Sequence, residues 1–455
     1  MRLLSRLLHA VVPCALIVAV RPAAAQAPVR VQHDTLANGL SVYLVPDTNA
    51  PIVTVDVWYD VGSANERPGR SGFAHLFEHL MFEGSAHVKP GEHLRLVEAA
   101  GGEANANTTE DRTDFHETLP ENRLNLALWL EADRMRSLTV SESSFVHERE
   151  TVRQERRQRV ENQPYGRAFT DGLTLLYDST DCFAYAHPVI GSLTDLDAAT
   201  VADARAFYRR YYVPNNATLT VVGDFDPANA MRLIHEYFDG VPRAAAPPPV
   251  TCHVRYHAGR RERTWRDPLA TLPAVVIAYL TPPHADPDTP ALELLTTMLG
   301  SGESSILNRH LVRERQIAVM AGAGSDDHLG PSVFYVYAIA NQGVPAESLA
   351  TALAVQVAEV TGHPVRSADL ARAKNEVKLG ALFDRQTTAA LAEQIQHFVR
   401  FHGSAAQINT DLDRYLRVTP EDVRRVAEKY LVPDNSYTLV VVPRADSVTT
   451  ETRRE

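Results

Sequence analysis

The chain has 455 residues, 45% of them hydrophobic and 22% charged, with a formal net charge of -11. Such a length exceeds what one hydrophobic core ordinarily organises, so two domains are expected, and the composition is that of a globular protein. The acidic balance argues against nucleic acid or an anionic membrane as the main partner.

Residues 1–27 read as a secretory signal: Arg2 and Arg6, an apolar run from Leu7 to Val20, then Ala23, Ala24, Ala25 and Ala27 as cleavage options. The run is short for a membrane span, and no later stretch is long and apolar enough to be one. Cys14 lies inside it without the preceding small residues that lipid modification requires. The mature chain is therefore expected to be periplasmic or secreted, with no membrane anchor. It retains Cys182 and Cys252, which can pair in an oxidising compartment, although spacing alone does not establish their distance. Neither sits in a recognisable setting for a thiolate nucleophile.

Asn38-Gly39 between apolar runs signals a hairpin over 35–45, and the Val-rich stretch 52–61 a further strand. The next stretch, GFAHLFEHLMFEGS over 72–85, has the length and apolar content of a buried helix, yet it carries His75, Glu78 and His79. Positions i and i+4 lie one above the other on a helix, so the two imidazoles project toward a common point, with Glu78 one turn from His75. A lone helical histidine is more often a hydrogen-bonded core residue. Three ionisable groups among Phe73, Leu76, Phe77, Leu80 and Met81 are costly unless something compensates them, and a zinc ion does so. The carboxylate of Glu78 is then free to take a proton from bound water.

A short helix over 90–100, stopped by Gly101-Gly102, precedes two extended stretches within 103–119. Pro120 opens a helix over 121–137, and Ser141 caps another that runs to about Val160. Zinc held by two histidines needs another protein ligand, commonly a carboxylate, with the fourth position left to water. Glu155 on this last helix is the choice. Glu148, two turns earlier on the same face, is placed to accept a hydrogen bond from a ligand histidine. A solvated salt-bridge face is the ordinary role of an acid among Arg149, Arg153, Arg156, Arg157 and Arg159, and it suits Glu150.

A loop over 162–166, a helix over 200–211 and a strand over 217–222 follow, and then an Ala- and Pro-rich linker. After it the pattern returns. Tyr211-Tyr212-Val213-Pro214-Asn215-Asn216 has its counterpart in Tyr430-Leu431-Val432-Pro433-Asp434-Asn435, an offset of about 219 residues. The same offset carries Val57 onto Val276, and His75, Glu78 and His79 onto Leu294, Thr297 and Met298. The expected architecture is α+β: two homologous domains, each a mostly antiparallel or mixed sheet with helices packed on it. Their boundaries are read as 28–240, a linker over 241–262, and 263–455, with only the first copy keeping the metal chemistry.

HLFEH, followed by an acidic helix whose Glu155 lies about 76 residues beyond His79, resembles the pitrilysin/insulinase family of zinc peptidases, the inverted-motif zincins that include mitochondrial processing peptidase. GGEANANTTEDRTDFHETLP, ERETVRQERRQR, QPYGRA, HPVIG and YYVPNNATLTVVGDFD resemble family blocks too, so the likeness covers nearly the whole mature chain. It implies one zinc ion per chain, held by His75, His79 and Glu155, with Glu78 as general base and Glu148 in support. Asn105 and Ala106 correspond to the edge segment along which family members bind an extended peptide.

The chain departs from the family at one point. An arginine and a tyrosine seven apart in the second domain usually help to stabilise the oxyanion, and Val312 and Val319 stand there. A related partner subunit is the expected source of the missing groups; His116 or Tyr165 of this chain is the alternative. The resemblance thus implies an exported zinc endopeptidase acting on peptides or unfolded polypeptides. A binding or assembly subunit that keeps zinc only for structure is the competing reading, and manganese or cobalt in the same ligands is a further one.

Overall fold

A computed structural model of the protein describes residues 28–443. The signal read at 1–27, with Cys14, lies outside them. Two mixed sheets with helices packed on them make the α+β fold expected from the sequence. The first half contains β1 (Gln32–Thr35), β2 (Ser41–Pro46), β3 (Ile52–Tyr59), α1 (Phe73–Leu80), α2 (Glu92–Ala99), β4 (Glu103–Thr108), β5 (Thr113–Pro120), α3 (Leu124–Ser137) and α4 (Glu142–Arg156). It continues through α5 (Gly166–Thr170), α6 (Leu193–Ala198), α7 (Val201–Tyr211), β6 (Ala217–Gly223) and α8 (Pro227–Phe238). Its sheet has the order β1-β2-β6-β3-β5-β4, in which β2 and β6 run parallel and the other pairs antiparallel.

The second half contains β7 (Arg261–Asp267), β8 (Ala274–Thr281), α9 (Thr289–Gly300), β9 (Ala318–Asp326), β10 (Ser332–Ala340), α10 (Ala346–Gly362), α11 (Ser367–Phe383), α12 (Thr388–His402), α13 (Asp411–Arg417), α14 (Pro420–Tyr430) and β11 (Ser436–Pro443). Its order, β7-β11-β8-β10-β9 with β7 and β11 parallel, repeats that of β2-β6-β3-β5-β4. In one place the repeat differs from its sequence reading. Val57 pairs with Leu219, whose counterpart Thr438 pairs with Ile277, so Val57 corresponds to Ile277 and not to Val276. The distinction decides packing, because a slip of one residue turns a side chain to the other face of the sheet. Val57 and Ile277 each face the core of their own half, whereas Val276 faces the other half.

The central strands β3 (IVTVDVWY) and β8 (AVVIAYLT) are buried almost throughout, which requires cover on both faces of each sheet. One face of each is covered by the half's own helices. The other is covered by crossing over. Leu391, Ala392, Ile395 and Phe398 of α12 pack on Tyr43, Val45 and Val222 of the first sheet. In return, residues 168–185 of the first half, with Leu176, Tyr177 and Tyr185, pack on Val276, Ala278, Leu280 and Leu439 of the second. Gln396 anchors one crossing by donating from its amide to the carbonyls of Asp56 and Thr218, each at 3.0 Å.

Further differences from the sequence reading are local. The first hairpin strand is the exposed, polar β1, and α4 gives way at Arg157–Glu161 to a wider helical turn. The helix α8, opened by the Asp226 cap and Pro227, was not read from the sequence. Among the described residues no helix is long and apolar enough to cross a membrane.

Cys182 and Cys252 are joined in a disulfide. It ties the segment that covers the second sheet to the stretch leading into β7. Because the closed loop spans 70 residues, Cys252→Ser is expected to lower the unfolding free energy by about 2–4 kcal/mol. Denaturant titration checks this, with no change of midpoint as the contrary result.

Candidate metal centre

The helix α1 starts at Gly72, whose left-handed backbone (φ 90°) leaves no side chain to cap the first amides. The carboxylate of Glu66 takes that place, accepting from the amides of Gly72 at 2.8 Å and Ala74 at 2.7 Å while His187 holds it at 3.0 Å. Gly191 lies so close that a Cβ there would stand 2.4 Å from the Gly72 Cα. Phe73, Leu76, Phe77 and Leu80 then fix the helix in the core, leaving His75, Glu78 and His79 directed toward α4 and β4.

On the opposing side, Ser141 caps α4 in a reciprocal arrangement with Ser144, and Phe145 and Val152 bury its inner face. The C-terminal end is pinned by Arg156. This residue is buried. Its guanidinium binds both oxygens of Asp171, at 2.8 and 2.9 Å, and donates to the Gly191 carbonyl at 2.6 Å. One loop thus braces both helices. Glu150 is exposed and paired with Arg153 and Arg157, as the sequence suggested.

This bracing brings three donor groups together. One carboxylate oxygen of Glu155 lies 3.7 Å from Nε2 of His75 and 3.4 Å from Nε2 of His79. The two imidazole rings stand 5.0 Å apart at 78°. Donor atoms around a tetrahedral zinc, with bonds of about 2.0–2.1 Å, are separated by about 3.3–3.4 Å, so the set fits such an ion. Nδ1 of His79 donates to Glu148 at 3.1 Å, which leaves Nε2 facing Glu155. The other Glu155 oxygen is held by Arg159 at 2.6 Å.

Burial lowers His75 to about 4, so it is a neutral imidazole with a free lone pair. At His79 burial also opposes a proton, but hydrogen bonds to Glu148 and Glu155 outweigh it and raise the group to about 9. The pair of carboxylates therefore calls for positive charge at this point, which a divalent cation supplies in place of the proton. Hydrogen bonding to His79, then charge from His75 and Arg159, lowers Glu155 against the effect of burial. Burial raises Glu78, while the Thr108 hydroxyl, donating to it at 2.6 Å, acts in the opposite direction.

Thr108 ends β4, whose outer edge carries no strand partner among the described residues. Asn105 is exposed on this edge and Ala106 half-buried, beside the helix that carries Glu78. Val312 lies in a helical turn over Asn308–Glu314, packed against the second core, and Val319 is half exposed on β9. Neither offers a donor. The Tyr165 hydroxyl is committed to the Leu272 carbonyl at 2.9 Å, and His116 binds Asp114 at 3.0 Å on the sheet face turned toward α12. Sequence reasoning missed Glu66, His187 and Thr108, which are polar groups without a motif. Arg159, four residues after Glu155, was legible as an i, i+4 pair.

The insulinase (peptidase family M16) profile matches residues 41–173, and the profile described as peptidase M16 inactive domain matches 198–377. The zinc protease PqqE of Helicobacter pylori is 31% identical over 90% of this chain and 92% of its own. A probable mitochondrial-processing peptidase subunit beta of Arabidopsis thaliana is 25% identical over 87% of this chain and 75% of its own. The crystal structure of a protease from Helicobacter pylori superposes with a TM-score of 0.87 at 29% identity, covering 92% of this chain and all of that one.

The brace at Glu66 is open to test. Its side chain is fully buried, so Glu66→Ala leaves two helix amides unpaired and takes one of three partners from His187, and it is expected to cost about 1–3 kcal/mol, with Glu66→Gln less damaging. Thermal unfolding of the two variants checks the order.

Proposed function

The chain belongs to the insulinase (peptidase M16) family, whose relatives include zinc proteases, and on that premise we propose that it is an exported zinc-dependent endopeptidase acting on peptides or unfolded polypeptides. His75, His79 and Glu155 hold the metal in this reading, Glu78 is the general base, and Glu148 orients His79. The observation that carries it is the convergence of two α1 imidazoles and one α4 carboxylate at donor separations suited to zinc, with a further carboxylate beside them.

Zinc, when bound, polarises the scissile carbonyl and makes its water more acidic. The chain's own residues do the rest. Thr108 engages one oxygen of Glu78 and leaves the other to accept a proton from the attacking water and pass it to the leaving nitrogen. The unpartnered edge of β4, including Asn105 and Ala106, offers backbone groups to an extended substrate, a mode that demands conformation more than sequence. The Cys182–Cys252 disulfide supports an oxidising compartment such as the periplasm or the exterior.

The absence of an arginine and a tyrosine at Val312 and Val319 favours a related partner subunit as the source of oxyanion stabilisation. It equally favours a second reading, in which the chain is a non-catalytic, zinc-containing binding or assembly subunit. The carboxylate of Glu78 beside a set of three protein ligands supports the enzyme, since structural zinc has no use for a base.

Glu78→Gln is expected to reduce turnover of a peptide library by about 10²–10⁴-fold with zinc content unchanged, whereas Glu155→Gln loses metal as well. Unaltered turnover in Glu78→Gln would refute the mechanism. Assay of the zinc-loaded chain alone and with candidate related subunits separates the partner readings: full activity from a verified monomer rules out the two-subunit requirement.

A further inference from the structure

A second group of metal-ligating side chains lies on elements other than α1 and α4, where the two halves cross. His284 follows β8 of the second sheet; His397 and His402 belong to the last turns of α12, the helix that covers the first sheet. Nε2 of His284 and Nε2 of His397 face one another at 3.2 Å. Two imidazole nitrogens at that distance share a proton or share a metal, and the separation matches that of donors around a tetrahedral ion with bonds of about 2.0–2.1 Å. The rings stand 4.9 Å apart at 84°, nearly the geometry of His75 and His79. The ring of His402 completes the group, 5.1 Å from that of His284.

The surroundings favour a cation. His284 is 6% exposed, and its Nδ1 is buried with no hydrogen-bond partner. Asp327 and Glu293 lie 3.6 and 3.7 Å from that nitrogen, the side on which a carboxylate ordinarily steadies a metal-bound histidine. One oxygen of Glu293 accepts from the Tyr415 hydroxyl at 2.6 Å, and the other is buried and unpaired. Both carboxylates therefore face the one buried imidazole nitrogen. A cavity of about 350 Å³ adjoins the group and is lined also by Asp384, Arg385 and Asp411.

A comparable buried cluster differs in holding a guanidinium. At His93, Glu117 and Glu131, the guanidinium of Arg134 is bound to Glu131 and supplies the charge internally. The cations near the second group are committed elsewhere: Arg414 pairs with Asp411 and Arg385 donates to the Ile408 carbonyl.

We propose that His284, His397 and His402 form a second site for a borderline divalent transition metal of the zinc class, which clamps α12 to the loops of the second sheet. Three imidazoles with an adjoining cavity leave one position for water or a small anion. All three ligands belong to the second half, so the metal fixes the helix that covers the first sheet to the loop that follows β8. The site is independent of the reading of His75, His79 and Glu155.

The test uses the full chain carrying His75→Ala and His79→Ala, stripped with chelator and dialysed against zinc chloride. About one zinc per chain is expected to remain, with a higher thermal midpoint than in the stripped protein, and adding His402→Gln is expected to abolish both effects. His402 is partly exposed at the end of α12, and circular dichroism verifies the fold of each variant. Retention of no zinc by the folded background chain, or equal zinc with and without His402→Gln, overturns the proposal. Should the background substitutions prevent folding, the otherwise unaltered chain decides: about two zinc ions should fall to one in His402→Gln, and equal content in the two refutes the site.

Discussion

The crossing of α1 over α4 is the contact on which the candidate centre depends, because it removes two imidazoles and two carboxylates from water together. Removing an unpaired charge from water costs several kcal/mol, and a partly compensated cluster costs more than an apolar one. Here Glu148 and Glu155 face His79 from either side, and the arrangement becomes stable when positive charge lies among them. A proton on His79, favoured by its hydrogen bonds to these carboxylates, is one source of that charge. A metal ion satisfies the same electrostatic demand and uses the lone pairs that burial keeps available on His75.

Such a cluster holds its shape only if the helices bearing it cannot slide. The Gly191 loop provides this constraint through an unusually close backbone approach to Gly72 and a carbonyl that receives Arg156 from the end of α4. Glu66 closes the start of α1 from within the core. The edge strand β4 is attached to the same unit by Thr108, whose hydroxyl donates to the carboxylate of Glu78.

The two halves share a topology but not a site. In α9, the counterpart of α1, Leu294, Leu295, Met298 and Leu299 are buried and no histidine is present, so this face serves as core. The halves are also not separable units. Each lends a segment to cover the exposed face of the other's sheet, and α12 and residues 168–185 would leave broad apolar surfaces behind if the halves parted. The histidines at the end of α12 stand at this junction, where a clamp has most effect on the whole.

The sequence by itself determined the features governed by local periodicity: the α+β character, the repeat, the helix on which His75, Glu78 and His79 share a face, and the capped helix bearing Glu155. A helical pitch of 3.6 residues makes such proximity calculable from spacing alone. Where the reading erred, local signals were silent or degenerate. An offset of one residue on a strand changes no composition but reverses its facing, so spacing alone does not tell Val276 from Ile277. Only the tertiary structure decided that Glu155 meets the imidazoles, that Glu66 caps α1, that Cys182 reaches Cys252, and that His284 meets His397 and His402. These contacts join residues far apart along the chain, and their distances follow from how helices cross and sheets are covered, which no spacing along the sequence specifies.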